Sequence, residues 1–178
     1  MSKITGFFMI FVMAALMAVP VSAQVSDMGK DVPKETITFE FFLVRAGNFG
    51  GSQKGDLPEK VLAALNEVAG LTRYKNFKLI TAPVIVTREG VDAEIGGGLC
   101  ATDISFSIQI KEIVISKDAI KSQIRISLFG ADFGSGRAMS TALAFNEGEI
   151  VVIGVSSLTN DGDSDDAIMV AVTAKIAN

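Results

Sequence analysis

Histidine is absent from this chain, cysteine occurs once, at Cys100, and the sixteen basic residues are scattered singly. The first absence excludes Ser-His and Cys-His catalysis and every histidine-based zinc site. A lone cysteine makes no internal disulfide. Glycines precede Cys100 and no histidine base exists to activate it, so it reads as a buried apolar residue or an unpaired thiol. No basic patch with interleaved aromatics occurs, which argues against nucleic acid as a partner. The acidic balance argues against tight docking on anionic lipid. There is no Ser-x-x-Lys dyad and no repeat of solenoid length.

What is present begins with an export signal. Lys3 gives a short positive start, Phe7–Val19 is an apolar run (FFMIFVMAALMAV), and Pro20 and Val21-Ser22-Ala23 follow, with small residues where a signal peptidase cuts. The run is shorter than the roughly 20 apolar residues a spanning helix needs. Residues 1–23 are therefore expected to be cleaved, with Gln24 as the mature N-terminus and no stable membrane span left. No cysteine stands at the cleavage point, so no lipid anchor is expected there. Without residues 1–23 the chain keeps 155 of 178 residues and 15 basic against 20 acidic side chains. That is the size of one ordinary domain with a core of its own. The expected localisation is periplasmic or secreted.

Residues 24–35 are polar and read as a flexible lead-in. Residues 36–178 read as one α+β domain, with a strand-loop-helix unit at 36–70 and a β-rich part at 74–178. Thr36–Ala46 alternates and then becomes apolar on both faces, the mark of a strand inside a sheet. Gly47–Gly55 is a glycine-rich loop. A helix follows, with Asp56 and Glu59 as a capping box, Pro58 in the first turn, Leu57, Val61, Leu65 and Val68 on one face, and Gly70 as C-cap. Short strands are expected at Phe77–Ile80, Val84–Arg88 and Asp92–Ile95, with Gly96–Gly98 as an interruption. Asp103–Lys111 and Ile120–Leu128 alternate almost perfectly, with Ile104, Phe106, Ile108 and Ile110, then Ile120, Ile124, Ile126 and Leu128, on the apolar side. Met139–Phe145 alternates with small residues. Asn146–Glu149 is a hairpin turn, Ile150–Ile153 a buried run expected inside the sheet, and Ile168–Ile176 the last strand. The expected fold is α+β: one N-terminal helix packed on a mostly antiparallel sheet of about seven to nine strands.

Several constellations invite chemistry. Gly50 and Gly55 have phosphate-loop spacing, but Asp56 and Leu57 stand where Lys and Ser or Thr are needed, and Asp56 and Glu59 oppose a phosphate at the helix N-terminus. The acidic loop Asp161–Asp166 begins like a calcium loop but has Asp166 and Val172 where glycine and glutamate belong. Asp92 with Glu94, and Glu147 with Glu149, place carboxylates two apart on one face of an extended chain; both pairs flank turns, where solvated acids are ordinary. No catalytic, cofactor-binding or metal-ligating residue is assigned and no cofactor is expected.

The C-terminal residues carry a family likeness. MSTALAFNEGEIVVIGVSS resembles the stretch of secretins, the ring-forming outer-membrane gates of type II and III secretion and type IV pili, in which an alternating strand leads through an acidic-glycine turn into an apolar strand ending in glycine. The matching positions are Glu147-Gly148-Glu149 and Ile150–Gly154. DDAIMVAVTAKI is similar to the strand that closes the secretin core, and Ser105–Leu128 fit a secretin-like strand order loosely. Only Val155–Asp166 separates the two elements, where secretins carry a long gate segment. The resemblance therefore implies a short stand-alone periplasmic relative rather than a pore. The resulting reading is a non-enzymatic envelope protein, an interaction or assembly module of a secretion or pilus-type machine that binds an envelope partner or itself. The alternatives are a periplasmic small-ligand-binding protein with Gly47–Gly55 as a lid, and a carboxylate-based hydrolase.

Overall fold

From Phe41 to Val44 every residue is apolar, so this segment needs cover on both faces. In the computed structural model, which describes residues 34–48, 57–70, 74–99, 104–117, 119–130, 136–157 and 166–177, it lies in strand β1 (Thr36–Gly47) and is buried on both. The chain divides into Met1–Val32 and Pro33–Asn178, and every described residue belongs to the second unit. The described elements are β1, helix α1 (Glu59–Ala69), and strands β2 (Asn76–Thr81), β3 (Val84–Arg88), β4 (Ala93–Gly98), β5 (Ser105–Ser116), β6 (Ala119–Phe129), β7 (Arg137–Asn146), β8 (Ile150–Ser157) and β9 (Asp166–Ala177).

The strands form two sheets, antiparallel throughout. In the first, β1 pairs with β9 over its whole length, from Thr36 opposite Ala177 to Gly47 opposite Asp166. On the other side of β1, β3 pairs with its first half and β2 with its second, and β8 lies outside β9. The second sheet has the order β4-β5-β6-β7. The core lies between the sheets. Ile37, Phe39, Phe41 and Leu43 of β1 and Ile168, Val170 and Val172 of β9 meet Phe106, Ile108, Ile110, Ile120, Ile124 and Phe145 of the second sheet. Phe39 stacks on Phe41 at 6.4 Å and takes the edge of Phe145 at 6.3 Å. On the other face of the first sheet, Leu57, Val61 and Leu65 of the α1 segment pack on Phe42, Val44, Ala46, Met169 and Ala171. Each buried side chain of this size contributes about 1.5–3 kcal/mol.

Two turns carry the chain between the sheets. At Glu89-Gly90, the Gly90 N–H donates to Ile113 O at 2.9 Å, and the Glu89 carboxylate accepts from the Ile115 N–H at 3.0 Å. At Glu147-Gly148, the Gly148 N–H donates to Ala174 O at 2.8 Å, and Glu147 accepts from the Ile176 N–H at 3.2 Å. Both glycines have φ near +70°, a conformation glycine adopts without a side-chain penalty. No helix among the described residues is long and apolar enough to cross a membrane.

The α+β expectation is overturned. The fold is mostly β, two antiparallel sheets of five and four strands face to face, and the one described helix is not N-terminal but follows β1 and covers part of the first sheet's outer face. Alternation shows which side of a strand is dry, and it is silent on whether one sheet or two keep it dry. The helix departs from its expected cap: Pro58 occupies the N-cap position with no side-chain hydrogen bond, and Asp56 lies outside the described residues. Gly96–Gly98 do not interrupt β4; they pair with Ser107–Ser105. A Cβ on Gly97 would stand 3.3 Å from the Phe106 ring, so side-chain-free positions admit that ring. Asn146–Glu149 does not close a hairpin within one sheet, since β7 pairs with β6 and β8 with β9. Strand β8 is an edge strand with Ile150–Ile153 half-buried, and it is β9 that lies inside. Ile150–Ile153 is apolar on both sides because core lies under one face and α1 near the other. Residues 1–33, Cys100 and Asp161–Asp165 lie outside the described residues, as does the Gly47–Gly55 loop beyond Asn48.

Candidate functional site: the open face of the second sheet

Strands β5 and β6 alternate so regularly that one side of each is sealed in the core and the other is left to solvent. No layer among the described residues covers this outer side. Ser107, Gln109 and Lys111 of β5 lie opposite Ser127, Arg125 and Gln123 of β6, and these in turn face Ala138, Ser140 and Ala142 of β7. Glu94 of β4 stands at the far side, opposite Gln109. Glu94 accepts from Ser107 Oγ at 2.8 Å and from Gln109 Nε2 at 3.1 Å. Gln123 Nε2 donates to Glu112 at 2.8 Å. Glu112 sits in a bulge of β5 at φ 51°, where the β5–β6 register shifts between Lys111 and Val114.

The β5–β6 register brings together three cations that the sequence scatters. Lys121 and Arg125 flank Gln123 on β6, and Lys111 lies directly across from Gln123. Among the described residues none of the three makes an ion pair. Open depressions mark the same face. One of about 290 Å³ runs along Lys121, Gln123, Ala142 and Ala144, one of about 160 Å³ lies between Lys111, Arg125 and Ser140, and one of about 280 Å³ lies between Asp92, Glu94 and Lys111. Their shape suits contact with another surface rather than enclosure of a small molecule.

The paired carboxylates have structural duties. Glu94 is tied to Ser107 and Gln109. Glu147 caps the Ile176 N–H, and Glu149 accepts from the Asn146 N–H at 2.9 Å and from its side-chain amide at 3.1 Å. Val172 is fully buried in β9, and Asp166 opens that strand paired with Arg45, whose Nε and Nη2 both donate to Oδ2, Nε at 3.0 Å. Val172 therefore offers no ligand, and the Asp166 carboxylate is held by Arg45. No three of His, Cys, Asp and Glu among the described residues gather as a metal-binding group. The cations are what sequence reading missed. The signal was available only in part: alternation puts Lys111, Lys121 and Arg125 on the polar sides of their strands, but unbroken pairing from Ser116 opposite Ala119 would set Lys111 against Ile124, and the bulge at Glu112 is what sets it against Gln123.

No known family's sequence pattern matches the chain, and no curated protein matches it. Among solved structures, it is similar to the secretin InvG of the Salmonella SPI-1 type III secretion injectisome (residues 176 to the end, gate open). The identity is 13% and the TM-score 0.43, over 83% of this chain and 62% of that one. It is also similar to ExeD of Aeromonas hydrophila, at 16% identity and a TM-score of 0.44, over 83% of this chain and 49% of that one. The chain thus spans between about half and three-fifths of the chains it resembles. InvG is a secretin by its description, and residues 139–176 resemble that family in sequence.

Proposed function

We propose that the chain is an exported, non-enzymatic assembly module of the cell envelope that works by binding polypeptide through the open edges of its sheets. The observation that carries this reading is the second sheet, with its outer face bare and β4 and β7 paired on one side only among the described strands. Edge strands present unpaired backbone groups that another chain can complete. The structural bonds of Glu94, Glu147 and Glu149 weigh against the hydrolase alternative, and the open form of the depressions weighs against a small-ligand carrier. Export rests on the order of Lys3, the apolar run and Val21-Ser22-Ala23. The setting at a secretion or pilus-type machine rests on the sequence resemblance of residues 139–176.

Two measurements test it. Cell fractionation with intact-mass analysis should find the protein in the envelope or medium with Gln24 first; retention of Met1 in a cytosolic fraction would overturn export. Site-directed photocrosslinking from Ala142 in living cells should yield a polypeptide adduct, to a partner or to a second copy. Its absence, in a correctly exported and folded chain, would overturn association.

A further inference from the structure

Acidic side chains outnumber basic ones in this chain by 20 to 16. The outer face of the second sheet nevertheless gathers Lys111, Lys121 and Arg125, none of which has a partner among the described residues. The carboxylates bound on this face take neutral donors instead: Glu94 is held by Ser107 and Gln109, and Glu112 by Gln123. Lys121 and Arg125 stand four residues apart in the outward row of β6, about 13–14 Å along the strand. Lys111 faces Gln123, which lies midway between them, and Arg125 is its diagonal neighbour at about 7–8 Å. Four residues beyond Arg125 the same row ends at Phe129, which is 45% exposed. Its ring lies against Gly136, where a Cβ would stand 2.9 Å from it.

We infer that this face docks an extended acidic segment of another polypeptide, one with carboxylates at alternate positions. The inference rests on the reading that the chain binds polypeptide, and it adds the face of the second sheet to the edges. Charge complementarity selects an acidic partner. Spacing selects an extended one. Alternate side chains of an extended segment share a side and stand about 6.8 Å apart, so two steps span Lys121 to Arg125. A helix would bring residues four apart to within about 6 Å. Room is available beside the row, because every outward position of β7 from Ala138 to Ala144 is Ala or Ser. Other anionic partners fit less well. A bilayer would hold the whole acidic molecule against an anionic surface, whereas a single segment meets mainly the charges within a Debye length of it. Single-stranded nucleic acid stacks successive bases on successive aromatics, and this row ends in one. Arginine beside an exposed aromatic is the composition of a protein-binding surface.

Fluorescence anisotropy of labelled peptides with the exported protein tests this. The peptide Glu-Thr-Glu-Thr-Glu-Thr-Thr should bind, and rising salt should weaken it. Glu-Thr-Thr-Glu-Thr-Thr-Glu has the same composition but sends successive acids to opposite sides of an extended chain, and it should bind more weakly. K121E/R125E should weaken the first peptide about tenfold or more, and Lys111→Glu should weaken it independently. K75E/K78E changes the net charge by the same amount as K121E/R125E but on the first sheet, and should retain most of the affinity. All five positions are exposed, so unchanged melting temperatures are expected and verify that the variants fold. An oligogalacturonate of equal charge and phosphatidylglycerol vesicles should both bind more weakly than the first peptide. No binding of the first peptide, equal binding of the two peptides, equal losses in K121E/R125E and K75E/K78E, or tighter binding of the glycan or the vesicles would overturn the inference. If photocrosslinking from Ala142 captures a polypeptide all the same, the proposed function stands without this acidic specificity.

Discussion

Val170 shows how little tolerance the core has. It is 2% exposed, lies between the sheets in register with Leu43 and Gly154, and has no polar neighbour in its cluster. Val170→Asp would bury an unpaired carboxylate there, and a loss of about 3–5 kcal/mol is expected in denaturant unfolding. Lys175→Ala, five residues on, should cost less than about 0.5 kcal/mol, because its pair with Glu40 at 3.4 Å is solvent-exposed. Ser122 is the opposite case. Its buried hydroxyl has no partner among the described residues, so Ser122→Ala should leave stability unchanged or raise it by up to about 1 kcal/mol. A clear loss would show that the hydroxyl is satisfied in solution.

At the scale of elements, the β5–β6 hairpin shows both what sequence discloses and where it stops. Ser116 pairs with Ala119, so Lys117 begins a two-residue turn, and its φ of 58° is one that favours glycine. Lys117→Gly should raise stability by about 0.5 kcal/mol in thermal or denaturant unfolding, relief of the left-handed strain outweighing the added chain entropy. Both strands of this hairpin, β1, β9 and the helix were legible, because long runs of period two or 3.6 leave a strong pattern. Strand β4 was legible only in its first half, Ala93–Ile95; its run through Gly96–Gly98 was not, because those residues carry no side chains to show a period. The place of β8 was not, because apolar residues on both faces specify layers above and below and say nothing of neighbours on either side. The turn at Glu147-Gly148 was legible as a turn, but its use to change sheets depends on its bonds to Ala174 and Ile176, about 27 residues further on.

For the whole molecule, the division into two sheets decides what the protein can do. The first sheet spends its outer face partly on α1 and breaks or shortens its edges. Among the described residues the second keeps its outer face bare, with acids near one edge and cations near the other. The candidate site was legible only in part: the acidic pair Asp92 and Glu94 stands out in the sequence, whereas Lys111, Lys121 and Arg125 become a cluster only when the strands pair. The central claim, association through the edges of this sheet, is tested most directly by amide hydrogen exchange of the exported protein at low and high concentration. Protection should rise with concentration in β7 and β4 while β2 and β3 stay unchanged. Exchange in β7 and β4 that does not depend on concentration, or protection gained only in the first sheet, would contradict it.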